Sequence, residues 1–536
     1  MPTLNWIGKD AVLNHDQTVP YRLLHCEGDL SVGEAGQGNL LVEGDNLQAL
    51  KALLPYYRKQ VKCIYIDPPY NTGNEGWVYN DAVNSPEIKK WLGAAVGGEA
   101  EDLSRHDKWL CMMYPRLKLL REFLRDDGAI FISIDDNEAA HLRAMMDEVF
   151  GAQNFVATIV WQKIFSPKSS ARHFSANHDF VLLYAKNADT WQRNLLVRTE
   201  AHDQRYKNPD NDPRGLWASS DLSARNYYSL GIYPITAPSG RVIPGPPRGT
   251  YWRVSKENFD ELVRDNRIWW GADGNNVPRL KRFLSEVQEG VVPQTIWFHQ
   301  EVGNTQEAKK EVVALLPHAE EVFSTPKPTR LIQRILQIAT DKDSLVLDSF
   351  AGSGTTGHAV LQMNKEDGGN RRFILIEMAP EICREITAER LRRVIEPRPH
   401  RSLRPVRSDE EASEGLGGGF RYCTLGESLF DERGQIRDKV KFGDLAHHIF
   451  FTETGEPLPK RVTGRTPFIG LLNGSAYYLL WSGPEVEAVL TLAALKQLKA
   501  HDGPKIVYAD ACRLSLTQLQ ARNIVFKQVP YEVKAG

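Results

Sequence analysis

The chain has 536 residues, of which 25% are charged and 42% hydrophobic, and its formal net charge is −2. This is a globular composition with material for roughly two to four domains. It excludes a chain that is basic overall, so a nucleic-acid partner must be met by a local basic face. Cys26, Cys63, Cys111, Cys383, Cys423 and Cys512 lie far apart with no zinc-ligand spacing, which fits a reducing cytosol. Met1-Pro2-Thr3-Leu4-Asn5-Trp6 has no signal-peptide pattern, and no apolar run reaches a membrane span.

Residues 1–38 are mixed in character and are expected to wrap the surface of the first domain. Residues 39–43 read as a strand, Gly44-Asp45-Asn46 as a turn, and an amphipathic helix starts at Leu47. Asp45 has two readings, a helix N-cap or a contact to the adenosine of a cofactor. The apolar run Val61–Ile66 is a buried strand, so the three elements form a βαβ unit. Asp67-Pro68-Pro69-Tyr70 ends that strand abruptly, because proline cannot continue a ladder. An acid, a rigid turn and an aromatic ring then stand at the carboxyl end of a strand, where open α/β sheets bind ligands. The set suits a planar base with an exocyclic amine. Asp67 can accept one amine hydrogen, the Pro68 carbonyl the other, and Tyr70 can stack on the ring. The plainer reading is a strand-ending turn with a buried tyrosine.

Residues 74–107 are loop-rich, with Trp77, Tyr79 and Trp91, and read as a lid or binding loop. Residues 109–125 show helical spacing of apolar side chains that belong to a core. Residues 129–134 read as a strand. Asp135 and Asp136 after it read as a cap and first-turn acid more simply than as catalytic groups. Strands at 154–162 and 179–184 form a hairpin at the sheet edge. From 163 to 325 the α/β rhythm stops, and basic and aromatic residues interleave, among them Arg225, Tyr227, Arg248, Trp252 and Lys281. That mixture suits phosphate contacts and base stacking, and equally a solvated insert with a few core aromatics.

Residues 344–347 are a second buried strand, followed by Asp348-Ser349-Phe350-Ala351-Gly352-Ser353-Gly354-Thr355-Thr356-Gly357 and a helix. Glycines let this turn close tightly on a ligand. The next strand, 373–376, ends in Glu377, an acid suited to ribose hydroxyls. Gly352 to Gly357 also satisfies the dinucleotide fingerprint, so a dehydrogenase competes. Asp348, however, would face a pyrophosphate unfavourably, whereas a cationic, phosphate-free cofactor such as S-adenosylmethionine tolerates it. No Gly-Lys-Ser/Thr ends the loop, which excludes a Walker A site.

Asp67-Pro68-Pro69-Tyr70 upstream of Asp348-Ser349-Phe350-Ala351-Gly352-Ser353-Gly354-Thr355 resembles the beta-group DNA amino-methyltransferases, in which the base loop precedes the cofactor loop and target recognition lies between. Residues 39–45, the stretch from Asp107 to Asp136, Thr325-Pro326-Lys327-Pro328-Thr329-Arg330 and the stretch from Asn364 to Phe373 resemble, more narrowly, the modification subunit of type III restriction–modification systems. The resemblance implies a circularly permuted, Rossmann-like methyltransferase sheet, α/β in class, with seven mainly parallel strands. It implies S-adenosyl-L-methionine as cofactor, at Asp348, Phe350, Gly352, Gly354, Thr355 and Glu377, with Asp45, Lys327 and Thr329 alongside. Asp67, Pro68, Pro69 and Tyr70 match its catalytic loop, and Asp rather than Ser at the first position favours adenine N6. The base would be flipped out of double-stranded DNA to reach them. The family implies a homodimer and a separate helicase–nuclease restriction subunit as partner.

On this reading 1–162 and 326–396 form the methyltransferase core, 163–325 the target-recognition insert, 397–419 a linker and 420–536 a small α/β module. In the linker Arg398, Arg401, Arg404 and Arg407 recur every three residues, which in a polyproline II segment makes one basic face or a solvated tether. The module's clearest strands are Tyr477 to Trp481 and Lys505 to Tyr508, and no catalytic constellation is evident in it. The competing readings are a cytosine-N4 or RNA methyltransferase, a non-catalytic DNA-binding defence subunit and, more distantly, a dehydrogenase.

Overall fold

The structure, a computed structural model, describes residues 3–33, 38–72, 105–287, 289–317, 325–397, 414–460 and 462–530. Trp77, Tyr79, Trp91 and the arginines at 398, 401, 404 and 407 lie outside the described residues. The chain divides into two compact units, one formed by Met1–Asn194 with Gln294–Gly536, the other by Leu195–Pro293.

The first unit is built on a ten-stranded sheet. Its order is Arg22–Val32, Phe420–Ser428, Leu40–Glu43, Arg372–Glu377, Leu345–Asp348, Val61–Ile66, Leu124–Ile134, His178–Ala185, Phe155–Gln162 and Ile296–Trp297. The five pairings from Phe420–Ser428 to Leu124–Ile134 are all parallel. Parallel strands covered on both faces are continuously apolar. Val61–Ile66 is accordingly buried at every position. Burying Ile64 and Ile66 contributes about 1.5–3 kcal/mol each. Leu345–Asp348 lies directly beside Val61–Ile66 although the whole insert separates them in sequence. That neighbouring of distant strands is the circular permutation, and it sets the glycine loop next to Asp67.

Asp45 caps the helix Asn46–Tyr57, accepting from the Gln48 N–H at 3.0 Å. The helix Arg105–Phe123 packs on this helix, and its interior carries the apolar spacing seen in the sequence. The hairpin of Phe155–Gln162 and His178–Ala185 is antiparallel, and Ile296–Trp297 adds a short parallel strand outside it.

Three features differ from the sequence reading. The sheet has ten strands where seven are expected. Arg22–Val32 is a sheet strand and not a surface wrapping, and Phe420–Ser428 pairs between it and Leu40–Glu43. Most of Arg22–Val32 is solvated, with an irregular register, so it lacks the alternation that marks a strand. These two strands bring Cys26 opposite Cys423, and the structure joins them in a disulfide across 397 residues of sequence. The expectation of six reduced cysteines fails for this pair, because only the pairing of the strands reveals it; Cys63, Cys111, Cys383 and Cys512 are free. The remainder of the C-terminal region forms its own four-stranded sheet, Phe468–Leu472, Ser475–Leu479, Lys505–Ala509 and Ile524–Gln528. No described helix is long and apolar enough to cross a membrane.

The second unit is formed from short strands. Trp217–Asp221, Arg279–Phe283 and Ile268–Trp269 make an antiparallel sheet. Leu222, Tyr233, Ile235, Ile243, Trp252, Phe259 and Ile268 make its core. Trp252 is thus a core residue, and Lys281 is buried in ion pairs with Asp210 and Asp212. Arg225, Tyr227 and Arg248 are all exposed.

Candidate active site

The proline-ended and glycine-ended strands both open onto one cleft of about 350 Å³. Asp67, Pro68, Pro69 and Tyr70 line it from one side and Asp348, Phe350, Gly352 and Thr355 from the other, with Lys327 among them. Its size is in the range of small-molecule sites.

The catalytic-loop candidates are held by direct bonds. Trp109 Nε1, on the buried face of Arg105–Phe123, donates to the Pro69 carbonyl at 2.7 Å. Asn71 follows with φ 56°, a left-handed conformation that asparagine tolerates. Burial together with the Asp67 charge pushes the Tyr70 hydroxyl well above the ordinary tyrosine value. Lys327 Nζ donates to Asp67 Oδ2 at 2.5 Å and lies 5.0 Å from the Tyr70 ring centroid. Lys327, expected beside the cofactor, lines the cleft with its ammonium on the base loop.

The glycine loop is organised by its own acids. Asp348 accepts from the Phe350 N–H at 3.0 Å and the Thr356 hydroxyl at 2.6 Å. Glu377 accepts from the Gly352 N–H at 2.8 Å and the Ala379 N–H at 3.0 Å. Gly352 and Gly354 have φ of 50° and 74°. A Cβ on Gly354 would also come within 3.1 Å of Thr387 Cγ2. The Thr355 hydroxyl donates to the Lys327 carbonyl at 3.1 Å, tying the two halves of the site together. Burial pushes the Asp348 carboxyl up to about 7, against the pull of its Thr356 and Phe350 hydrogen bonds.

Four sequence candidates, Asp45, Thr329, Gly354 and Glu377, are not among the residues that line the cleft. Asp45, besides its capping role, pairs with Arg116 at 3.0 Å. Thr329 opens the helix Thr329–Ala339 and bonds Glu311 through its N–H at 3.1 Å and its hydroxyl at 2.9 Å.

Sequence reasoning missed the pair Lys163 and Asp179, 2.5 Å apart on the cleft wall. Burial pushes Asp179 up to about 6 despite Lys163 and Lys327 nearby. The two residues stand together at one end of the hairpin, and nothing in their local sequence marks them. It also missed Arg390, wholly buried behind the glycine loop, which donates to the Ser353 hydroxyl at 3.1 Å and the Thr355 hydroxyl at 2.9 Å.

S-adenosylmethionine fits these residues. The glycine turn permits close approach, and Asp348 is a buried acid whose ionisation a cationic ligand would favour. A pyrophosphate in the cleft would meet Asp67 and Asp348 together, which disfavours a dinucleotide.

Comparison with known proteins gives the family. A family model described as DNA methylase, of the N6/N4 type, matches residues 61–243 and 246–389. The chain is 36% identical over 386 residues to the type III restriction-modification enzyme StyLTI Mod subunit of Salmonella typhimurium, covering 69% of this chain and 57% of that one. It is 32% identical over 491 residues to the EcoPI Mod subunit of Escherichia phage P1, covering 84% and 74%. The EcoP15I Mod subunit of Escherichia coli is 30% identical over 429 residues, covering 70% and 64%. The chain thus spans between somewhat over half and three quarters of the length of these relatives. Matched along most of its own length by these sequences, and carrying both loops in one cleft, the chain belongs to the DNA methylase family that includes the type III modification subunits.

Proposed function

We propose that the protein is a site-specific DNA methyltransferase that moves a methyl group from S-adenosylmethionine to adenine N6 in double-stranded DNA, as the modification subunit of a restriction–modification system. The observation that carries this reading is the meeting of Asp67, Pro68 and Tyr70 with the glycine loop in one cleft. The cofactor, when bound, supplies an electrophilic methyl group on a sulfonium. Asp67 and the Pro68 carbonyl orient the adenine amine, whose lone pair is otherwise delocalised into the ring. Tyr70 stacks on the flipped base, at an unstacking cost of a few kcal/mol. Positioning and electrostatics supply the rate, with no covalent enzyme intermediate.

Asp348, Phe350, Gly352, Gly354, Thr355 and Glu377 would hold the cofactor, the two acids through lone pairs not used by the loop's own N–H groups. Lys327 holds Asp67 from the cleft wall, Thr329 supports the glycine loop through Arg390, and Asp45 acts through the helix it caps. Arg225, Tyr227 and Arg248 of the second unit are the candidates for DNA contact. A homodimer, a helicase–nuclease restriction subunit as partner, and a cytoplasmic location beside the DNA complete the reading.

The test is methyl transfer from labelled S-adenosylmethionine to mixed-sequence duplex DNA, with nucleoside digestion and mass analysis. N6-methyladenine is the expected product. Label in N4-methylcytosine, or only with RNA, moves the target and keeps the chemistry. Full biological activity without any transfer by the wild type would favour a non-catalytic DNA-binding subunit.

Asp348 gives the site a pH dependence. Its folded value of about 7 lies above that of an unfolded aspartate, roughly 3.9. The folded protein therefore holds this proton more tightly than the unfolded chain does. Its contribution to stability is fully present below about pH 4 and is lost as pH rises through about 7. A cationic ligand has the opposite preference. Cofactor affinity is expected to rise with pH by up to about tenfold per unit below pH 7. Calorimetry on wild type and Asp348→Asn checks this, since the variant should lose that slope; identical profiles would remove Asp348 from the cofactor's charged end.

A further inference from the structure

Glu138 is a wholly buried carboxylate outside the cleft lining, at the start of the helix Ala139–Met146. The sequence draws attention to Asp135 and Asp136 just before it, yet Asp135 serves its own turn, accepting from the Asn137 N–H at 2.9 Å. Glu138 Oε1 accepts from Asn71 Nδ2 and lies 2.7 Å from His106 Nδ1. Its Oε2 lies 2.8 Å from His141 Nδ1. A carboxylate only accepts, so each ring donates its Nδ1 proton.

Two imidazoles and a carboxylate also form a ligand set for a divalent metal. The spacing speaks for direct bonds instead. A tetrahedral ion with bonds of about 2.0–2.2 Å holds its ligand atoms roughly 3.3 Å apart. The contacts of 2.7 and 2.8 Å are closer than that and are those of hydrogen bonds.

What Glu138 grips is the exit of the catalytic loop. Asn71 is 2% exposed, has φ 56°, and donates from the same amide nitrogen to the Arg105 carbonyl at 3.1 Å. Arg105, His106 and Trp109 all lie in the first turns of Arg105–Phe123. Trp109 fixes Pro69, and Arg105 and His106 meet Asn71 and its partner. The Asp67-Pro68-Pro69-Tyr70 turn is thus clamped between two helix starts, with Glu138 as the acceptor common to both.

We propose that Glu138 is a positioning residue for methyl transfer, acting through Asn71 to hold Asp67, Pro68 and Tyr70 in their working geometry. The inference rests on the proposed methyltransferase reading for its kinetic readout only. A displaced loop of this kind costs about a hundredfold in rate, because misplacement by about 1 Å is enough. Glu138→Ala is therefore expected to lower single-turnover transfer about a hundredfold while cofactor affinity stays within about twofold. Glu138→Gln keeps an acceptor oxygen for Asn71 and should recover part of the loss. Glu138→Ala and Asn71→Ala act on one contact, so the double variant should be no slower than the worse single variant.

Hydrogen exchange gives a readout independent of activity. In Glu138→Ala the Tyr70, Asn71 and Thr72 amides should exchange faster while those of Val61–Ile66 stay protected. Unchanged loop exchange, additive losses in the double variant, or equal losses of cofactor affinity and transfer would overturn the proposal. So would stoichiometric zinc binding by the wild type that Glu138→Ala abolishes. Faster loop exchange in the variant with no transfer by the wild type would instead overturn the methyltransferase reading and leave the clamp standing.

Discussion

An Asp67→Ala variant is expected to transfer methyl groups about 10²–10³-fold more slowly than the wild type, with cofactor affinity preserved. Asp67 ends a strand buried at every position, so its backbone is fixed before any ligand arrives. Its Oδ2 is already held by Lys327 Nζ at 2.5 Å. That contact keeps the carboxylate aimed at the cleft, and a base amine would share it. Asp67→Asn keeps the shape without the charge and should fall between wild type and alanine. Lys327→Ala should weaken transfer more than cofactor binding, because the lysine faces the base loop. Single-turnover rates and calorimetry on the same preparations separate the two effects. Wild-type transfer by Asp67→Ala would remove the residue from the reaction.

The second large effect is expected at Arg390. The guanidinium is wholly buried and donates to Ser353 Oγ at 3.1 Å, Thr355 Oγ1 at 2.9 Å and Thr329 Oγ1 at 3.2 Å. The carboxylate that pairs with it, Glu311, is 4.0 Å away. Burial pulls the guanidinium down to about 10, so the cation is maintained largely by neutral oxygens. Removing it takes a charged donor from three buried hydroxyl oxygens that keep their other hydrogen bonds, and each such bond to a charged group contributes about 1.5–3 kcal/mol. Arg390→Leu should therefore lose about 3 kcal/mol or more of stability in chemical denaturation, and loosen the glycine loop enough to cost at least about tenfold in cofactor affinity. Arg390→Lys, with a point charge in place of the fork, should be intermediate. An Arg390→Leu protein of unchanged stability and affinity would sink the idea.

What the sequence made legible was local. Two prolines after an apolar run, and glycines after another, announce strand ends without reference to anything distant. The chemistry of Asp67 and Tyr70 followed from their residue types. Asp45 shows the limit of that method, since a cap and a cofactor contact look alike until Gln48 and Arg116 are seen against it. Lys163, Asp179, Glu138 and Arg390 were illegible for a different reason. Each takes its meaning from a partner brought close by the fold, and their sequence neighbours look like ordinary strand ends and helix surfaces. The strands Arg22–Val32 and Phe420–Ser428 were hidden because they are held by strand pairing, the second of them also with Leu40–Glu43, and not by an apolar pattern.

The return of Phe420–Ser428 to the sheet, between Arg22–Val32 and Leu40–Glu43, bears on how the chain is made. Leu40–Glu43 is translated early, but one of its two neighbours, Phe420–Ser428, comes last among the sheet's strands. At about 5–20 residues per second, a growing chain waits on the order of tens of seconds with that edge open. An open parallel edge invites pairing with other chains. Products cut short before residue 420 would keep the edge open permanently, so solubility, and not only activity, should depend on synthesis running past that strand.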